Sequence, residues 1–162
     1  MIVSAKRILE LNKKYKLVEN IAERELNQEE VGIDLRAGKV YKLKGQGFWE
    51  TEERKTPIAE KIAESRLKDK VTLKPSDYLV VKTIEKANIT AKKIVIEDGK
   101  EGLFSMVEVY PRSTLQRCGI SFFGTKTDLG YYAELTFALA NLSNSSFELE
   151  LEARIANLSL NR

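Results

Sequence analysis

The sequence predicts an all-β (mainly β) chain, a barrel or jelly roll with one short N-terminal helix, folded as a single domain over residues 1–162. Three observations predict it. Short runs rich in β-branched and aromatic residues recur along the chain, bounded by Gly, Pro, Asn, Asp or Ser. Apolar and polar residues alternate with period two near the C-terminus, as in strands with one face in a core. Beyond one terminal helix there is no repeated helical pattern, so a parallel sheet would lack the helices it needs on its faces. A chain of 162 residues can bury a proper core but is short for two ordinary domains.

Taken in order, Ser4 caps a helix to about Tyr15 with Ile8, Leu9 and Leu11 as its apolar stripe. Val31 to Leu35 and then Lys39 to Leu43 read as two strands. From Gln46 to Lys70 the composition turns to Glu, Lys and Arg with no clean period of two, which predicts an excursion that is part loop, part helix. Gly45-Gln46-Gly47 is too short for a phosphate-cradling loop. Lys74 to Asp77 is a turn, Tyr78 to Ile84 a strand, Lys93 to Glu97 another, and Asp98-Gly99 a hairpin candidate. Leu103 to Tyr110 is a strand, followed by a loop or single helical turn and by a hairpin from Ile120 to Thr127. Two alternating strands close the chain, one through Leu135, Phe137 and Leu139, the other from Phe147 to Ile155, joined by a turn over Asn141 to Ser146.

Composition bounds the chemistry. With 27 basic and 24 acidic residues the net charge is +3, which argues against a dedicated nucleic-acid binder but suits a pocket for a polyanionic small molecule. The single cysteine forms no intramolecular disulfide, and no signal-like segment opens the chain, so the cytoplasm is the expected compartment and no membrane partner is expected. The absence of histidine removes Ser-His-Asp hydrolysis, His-activated cysteines and the His-bearing zinc deaminase site. Without such a partner Cys118 is expected to be a core residue. The 31% of charged residues, rich in Lys and Glu, leans toward a thermophile.

The densest chemistry lies in Tyr110-Pro111-Arg112-Ser113-Thr114-Leu115-Gln116-Arg117-Cys118-Gly119-Ile120, followed by Asp128-Leu129-Gly130-Tyr131. Two guanidiniums, two hydroxyls, a carboxylate and an aromatic ring make a set suited to a nucleoside triphosphate. On the residues alone, Arg112 and Arg117 serve surface ion pairs equally well, and Asp128 equally well forms a turn.

With Val31-Gly32-Ile33-Asp34-Leu35-Arg36 upstream, Ala153-Arg154-Ile155-Ala156-Asn157-Leu158 downstream and the opening Met1-Ile2-Val3-Ser4, this order and spacing resembles the trimeric dUTPase and dCTP deaminase superfamily over nearly the whole chain. The resemblance implies a distorted jelly roll of the dUTPase type, or β-clip barrel, a homotrimer, a deoxynucleoside triphosphate as substrate, and magnesium bound to the triphosphate. It implies that Asp128 orients the water that attacks the α-phosphorus, that Arg112, Ser113 and Arg117 hold the phosphates, and that Tyr131 packs under the deoxyribose. Gly124 and Thr125 would read the base through their backbone, with Gly124 allowing close approach. Asp34 would lie near a metal-bound water, and Arg154 and Asn157 in the phosphate and subunit-contact region, Asn157 standing where the family usually has glutamine.

Position 138 separates the two chemistries of that superfamily. In dCTP deaminases a glutamate ten residues after the motif aspartate moves protons, and this chain has Ala138. A methyl group does no acid–base chemistry, and Glu134, four residues back at about 3.3 Å each, is about 13 Å away. The resemblance therefore implies hydrolysis of dUTP to dUMP and pyrophosphate. The alternatives are a dCTP deaminase working despite Ala138, which the Gly32 to Arg36 stretch favours, and a nucleotide-binding homologue without turnover. The last is motivated by Asn157 and by the family's Gly-rich closing tail, which is not among the residues up to Arg162. The segment Phe147 to Leu160 is expected to carry apolar surface for assembly.

Overall fold

Ser4 starts α1 (Ala5–Tyr15) as the local chemistry requires: its side chain accepts a hydrogen bond from the Arg7 N–H at 3.3 Å, and Ala5, Ile8 and Leu11 face the core. Lys13 and Lys14 sit in the last turn, where the helix dipole favours cations. The structure is a computed structural model that describes residues 3–27, 31–67 and 69–161, so Met1 and Ile2 of the opening motif, Lys68 of the excursion and the terminal Arg162 lie outside the described residues.

After α1 come β1 (Val18–Glu19), a 3₁₀ turn (Glu23–Asn27) and β2 (Ile33–Lys44), then β3 (Phe48–Trp49), β4 (Arg54–Lys55), β5 (Ile58–Glu64) and β6 (Lys70–Leu73). The chain continues through β7 (Tyr78–Asn88), β8 (Met106–Pro111), α2 (Ser113–Arg117), β9 (Ile120–Phe123), β10 (Tyr132–Asn141), β11 (Phe147–Glu150) and β12 (Arg154–Asn161). The main sheet runs β8-β12-β2-β7-β10-β9, with β5 on β2 and β1 on β7. Beyond β9 the chain crosses to β8, where Val109 N donates to Thr125 O at 3.3 Å and Thr127 N to Val107 O at 2.9 Å. That crossing nearly closes the barrel. Its interior is apolar, with Ile33, Leu35, Val81, Val107, Leu139 and Leu158 all at 0% exposure.

The mainly β architecture matches the sequence expectation, and five local expectations are corrected. The two strands expected between Val31 and Leu43 are one, β2, with a bulge after Ala37 where Gly38 lies close against Thr83 and Ile84 of β7. The 46–70 excursion is a β-ribbon with a single 3₁₀ turn at Ser65–Leu67, because β5 pairs with the edge of β2. Lys93 to Glu97 forms only the isolated bridge Ile94↔Leu103 around the Asp98-Gly99 turn. Residues 120–127 are not a hairpin, since β9 pairs with β10 and residues 125–127 with β8. The stretch from Phe147 splits at Glu152, whose φ of 69° turns the chain from β11, paired with β6, into β12, paired with β2 and β8. Leu149, Leu151, Ile155, Leu158 and Leu160 of that stretch are all buried within the chain, so it does not supply the apolar contact surface expected of it.

Candidate functional site

β8 carries a polar cluster at each end. At its C-terminal end, Arg112 N donates to Ile155 O, and α2 follows, anchored by buried Leu115. Antiparallel registers bring Asp34 of β2 opposite Asn157 of β12, and Asn157 opposite Tyr110 of β8. Asp34, 1% exposed, therefore becomes the hub of four expected site residues. Arg112 Nη1 donates to both of its oxygens at 2.9 and 2.7 Å, Arg154 Nη1 to Oδ2 at 3.1 Å, and Asn157 Nδ2 to Oδ1 at 3.2 Å. Gly32 is required beside this cluster, because its φ is +78° and an added Cβ would sit 2.2 Å from Asn157 Oδ1.

Sequence reasoning missed Glu25. It is 3% exposed on the 3₁₀ turn, accepts the Asp34 N–H on Oε2 at 3.2 Å, and places Oε1 3.8 Å from Arg154 Nη1 and 3.6 Å from Arg24 Nε. Nothing in a polar run of Glu, Arg and Asn marks one carboxylate for burial. Ser113, Thr114 and Arg117 are exposed on α2, with Arg117 Nη2 donating to Thr114 Oγ1 at 3.4 Å. An open cleft of about 460 Å³ lies against this end, lined by Arg112, Thr114, Arg154, Glu148 and Glu150 among others. Cys118, expected in the core, is exposed, because α2 turns Leu115 inward instead.

The other end of β8 holds Asp128, exposed beside a pocket of about 280 Å³ lined by Phe104, Ser105, Met106, Lys126, Thr127 and Leu129. Thr127 pins this corner, its N–H donating to Val107 O at 2.9 Å and its Oγ1 accepting from Val107 N at 3.1 Å. Tyr131 is half-buried against the core and its hydroxyl donates to Glu134 O at 2.7 Å; burial, then the Glu134 charge, push its pKa up. Five residue steps along β8 separate Val107 from Arg112, about 17 Å at 3.3 Å each. Within one chain the structure does not bring Asp128 and Tyr131 together with Arg112.

Gly124 and Thr125 line a shallow third pocket with Tyr110 and Phe122. The close approach at Gly124 is made by its own chain, since an added Cβ would sit 2.5 Å from Val109 O and 2.6 Å from the Phe122 ring. Ala138, registered between Val80 and Phe123, is 6% exposed. Glu134 is held at 2.7 Å by Lys39, whose pKa that hydrogen bond raises, in a separate polar pocket with Glu64 and Arg66.

Among the described residues no group of three or more His, Cys, Asp or Glu is arranged to hold a metal ion. Asp34 does not fit the metal-water role expected of it, because both its oxygens already accept from cationic or amide donors.

Residues 2–162 match the dCTP deaminase-like family. The chain belongs to that family. Its deaminase-like and dUTPase-like branches are both represented among the similar proteins. The chain is 29% identical over 126 residues to the deoxyuridine 5'-triphosphate nucleotidohydrolase of Methanocaldococcus jannaschii, across 76% of this chain and 71% of that protein. In fold it is similar to the 2'-deoxycytidine 5'-triphosphate deaminase of Agrobacterium tumefaciens, with a TM-score of 0.67 and 14% identity over 98% of this chain; the match spans 46% of the deaminase chain, a little under half its length. It is also similar to a mutant dUTPase of Staphylococcus bacteriophage 80alpha, with a TM-score of 0.52 and 15% identity over 89% of this chain and 87% of that one. No helix among the described residues of this dCTP deaminase-like chain is long and apolar enough to cross a membrane.

Proposed function

We propose that this protein is a nucleotidohydrolase converting dUTP to dUMP and pyrophosphate in the cytoplasm, working as a homotrimer. Water attacks the α-phosphorus, the bond from that phosphorus to its β-bridging oxygen breaks, and pyrophosphate leaves. Asp128 orients the water and takes up its proton, while Arg112, Ser113 and Arg117 balance the charge spreading over the phosphate oxygens. Asp34 fixes the orientation of the Arg112 and Arg154 forks before substrate arrives, with Asn157 as the third donor to it. Tyr131 selects deoxyribose with its ring, its hydroxyl being engaged by Glu134 O. The backbone at Gly124 and Thr125 meets the base. Magnesium belongs to this reading as the counter-ion of the triphosphate, neutralising phosphate charge, and enters with the substrate.

The observation that carries the choice of reaction is Ala138, a buried methyl, taken together with an exposed Asp128 and with Glu134 committed to Lys39. Phosphoester hydrolysis asks for the groups that remain; deamination asks for an acid–base group at 138. The separation of Asp128 and Arg112 along β8 supports a pocket completed by a neighbouring subunit. Incubation with dUTP or dCTP plus magnesium, reading pyrophosphate and ammonia separately, tests the reading. Pyrophosphate from dUTP is the expected product, and ammonia from dCTP would reject it.

A further inference from the structure

Position 138 lies on the outer face of the barrel, yet it is closed to solvent. Along β10, Phe137 and Leu139 point into the core at 3% and 0% exposure, so Ala138 and Ala140 point outward. Ala138 is nonetheless 6% exposed. The cover comes from the flanking strands. Ala138 is registered with Phe123 of β9, and Ala140 with Tyr78 of β7, so both rings share the outer face with the two alanines. β7 and β9 are two strand spacings apart, about 9.6 Å, but the ring centroids are 6.1 Å apart with a tilt of 39°. The rings lean toward each other across β10. Each keeps an open side, at 45% and 52% exposure.

We infer that Tyr78 and Phe123 are specificity-determining residues whose rings roof position 138, so that the choice of hydrolysis over deamination rests on three positions rather than on Ala138 alone. The inference deepens the nucleotidohydrolase reading and rests on it. Phe123 immediately precedes Gly124 and Thr125, which places the roof beside the proposed base-reading backbone. A carboxyl at 138 would lie under the two rings between Val80 and Ala140, with Thr136, Lys82 and Ser121 one step further along the same face, and it would exchange water for a largely apolar cover. Water needed for attack on a cytosine ring is excluded from the same place.

The test uses the full chain with Cys118→Ser, so that Ala138→Cys supplies the sole thiol. Its reaction with a water-soluble aromatic disulfide should be slower than that of Cys118 in the parent by about ten-fold or more, and adding Tyr78→Ala and Phe123→Ala should restore the rate by a similar factor. Fast labelling under intact rings, or a rate indifferent to their truncation, overturns the roof. In parallel, Ala138→Glu should lower the melting temperature and release no ammonia from dCTP, and Phe123→Ala should shrink that melting penalty. A thermally neutral Ala138→Glu, or one that deaminates dCTP with both rings present, overturns the inference. Loss of the underlying reading shows differently, as no pyrophosphate from dUTP in the parent, whatever the labelling rates.

Discussion

The two ends of β8 are built on opposite principles. At one end Asp34 is buried and accepts from two arginines and an asparagine, with Glu25 holding its backbone from below. At the other, Asp128 stands exposed on a corner that Thr127 pins to Val107. A buried carboxylate with every oxygen engaged stabilises one geometry and loses its availability for chemistry. An exposed carboxylate stabilises little and keeps its lone pairs for a ligand. Under the proposed function the same residue type therefore serves as a scaffold in one place and as a reactive group in the other, and the sequence motif alone does not say which.

That contrast breaks first at Asp34. Asp34→Ala leaves Arg112 and Arg154 facing an empty polar site, and urea unfolding should show a loss of about 3–5 kcal/mol together with loss of turnover. A variant as stable as the parent would mean that the cluster is surface decoration. Asp128→Asn should do the reverse, lowering pyrophosphate release by about 10²–10⁴-fold with the melting temperature unchanged. Mixing and refolding it with Arg112→Ala should return part of the activity if the two ends of β8 meet across subunits; a confirmed trimer that stays inactive would place both residues in one chain's contribution to the pocket.

The third effect is smaller and tests what links the two ends. Gly124→Ala drives a methyl against Val109 O and the Phe122 ring, and should cost about 1–3 kcal/mol of stability, read by thermal melting. An unchanged melt would show that residues 124–127 do not depend on their contact with β8. The smallest effect appears as a slope. Burial raises the Glu85 pKa above the usual carboxylate range, only partly offset by the hydrogen bonds it accepts from Arg36 N at 2.8 Å and Nε at 2.7 Å. A raised folded pKa contributes stability at pH below the ordinary carboxyl value, and that contribution is lost as pH rises through the folded one. Urea midpoints from acid to neutral pH should therefore fall more steeply in the parent than in Glu85→Gln; parallel curves would remove the assignment.

Much of the fold was legible because strand alternation and turn chemistry are local. Ser4, the Lys74 to Asp77 turn and the period-two pattern of β10 each report their own neighbourhood, and the structure agrees at all three. The misreadings share a cause in pairing at a distance. The 46–70 segment becomes strand because β2 offers it an edge, and the Phe147 stretch breaks because its halves join different sheets. In the candidate site, Arg112, Arg154, Asn157 and Asp34 were readable from motif order as an inventory, whereas their gathering on a buried Asp34 and the part of Glu25 were not, since burial of a carboxylate depends on cations supplied from other strands.

The sequence by itself determined the mainly β class, the residue inventory of the site, the absence of histidine chemistry and the methyl at position 138, all of which are properties of single residues or short windows. The tertiary structure decided which of those residues touch. Registers between β2, β12 and β8 turned Asp34 inward and joined it to two arginines some 80 and 120 positions away along the chain. The length of β8 kept Asp128 from them. The lean of Tyr78 and Phe123 across β10 closed position 138, because ring contact is set by strand order and face, and neither is written in the spacing of the residues.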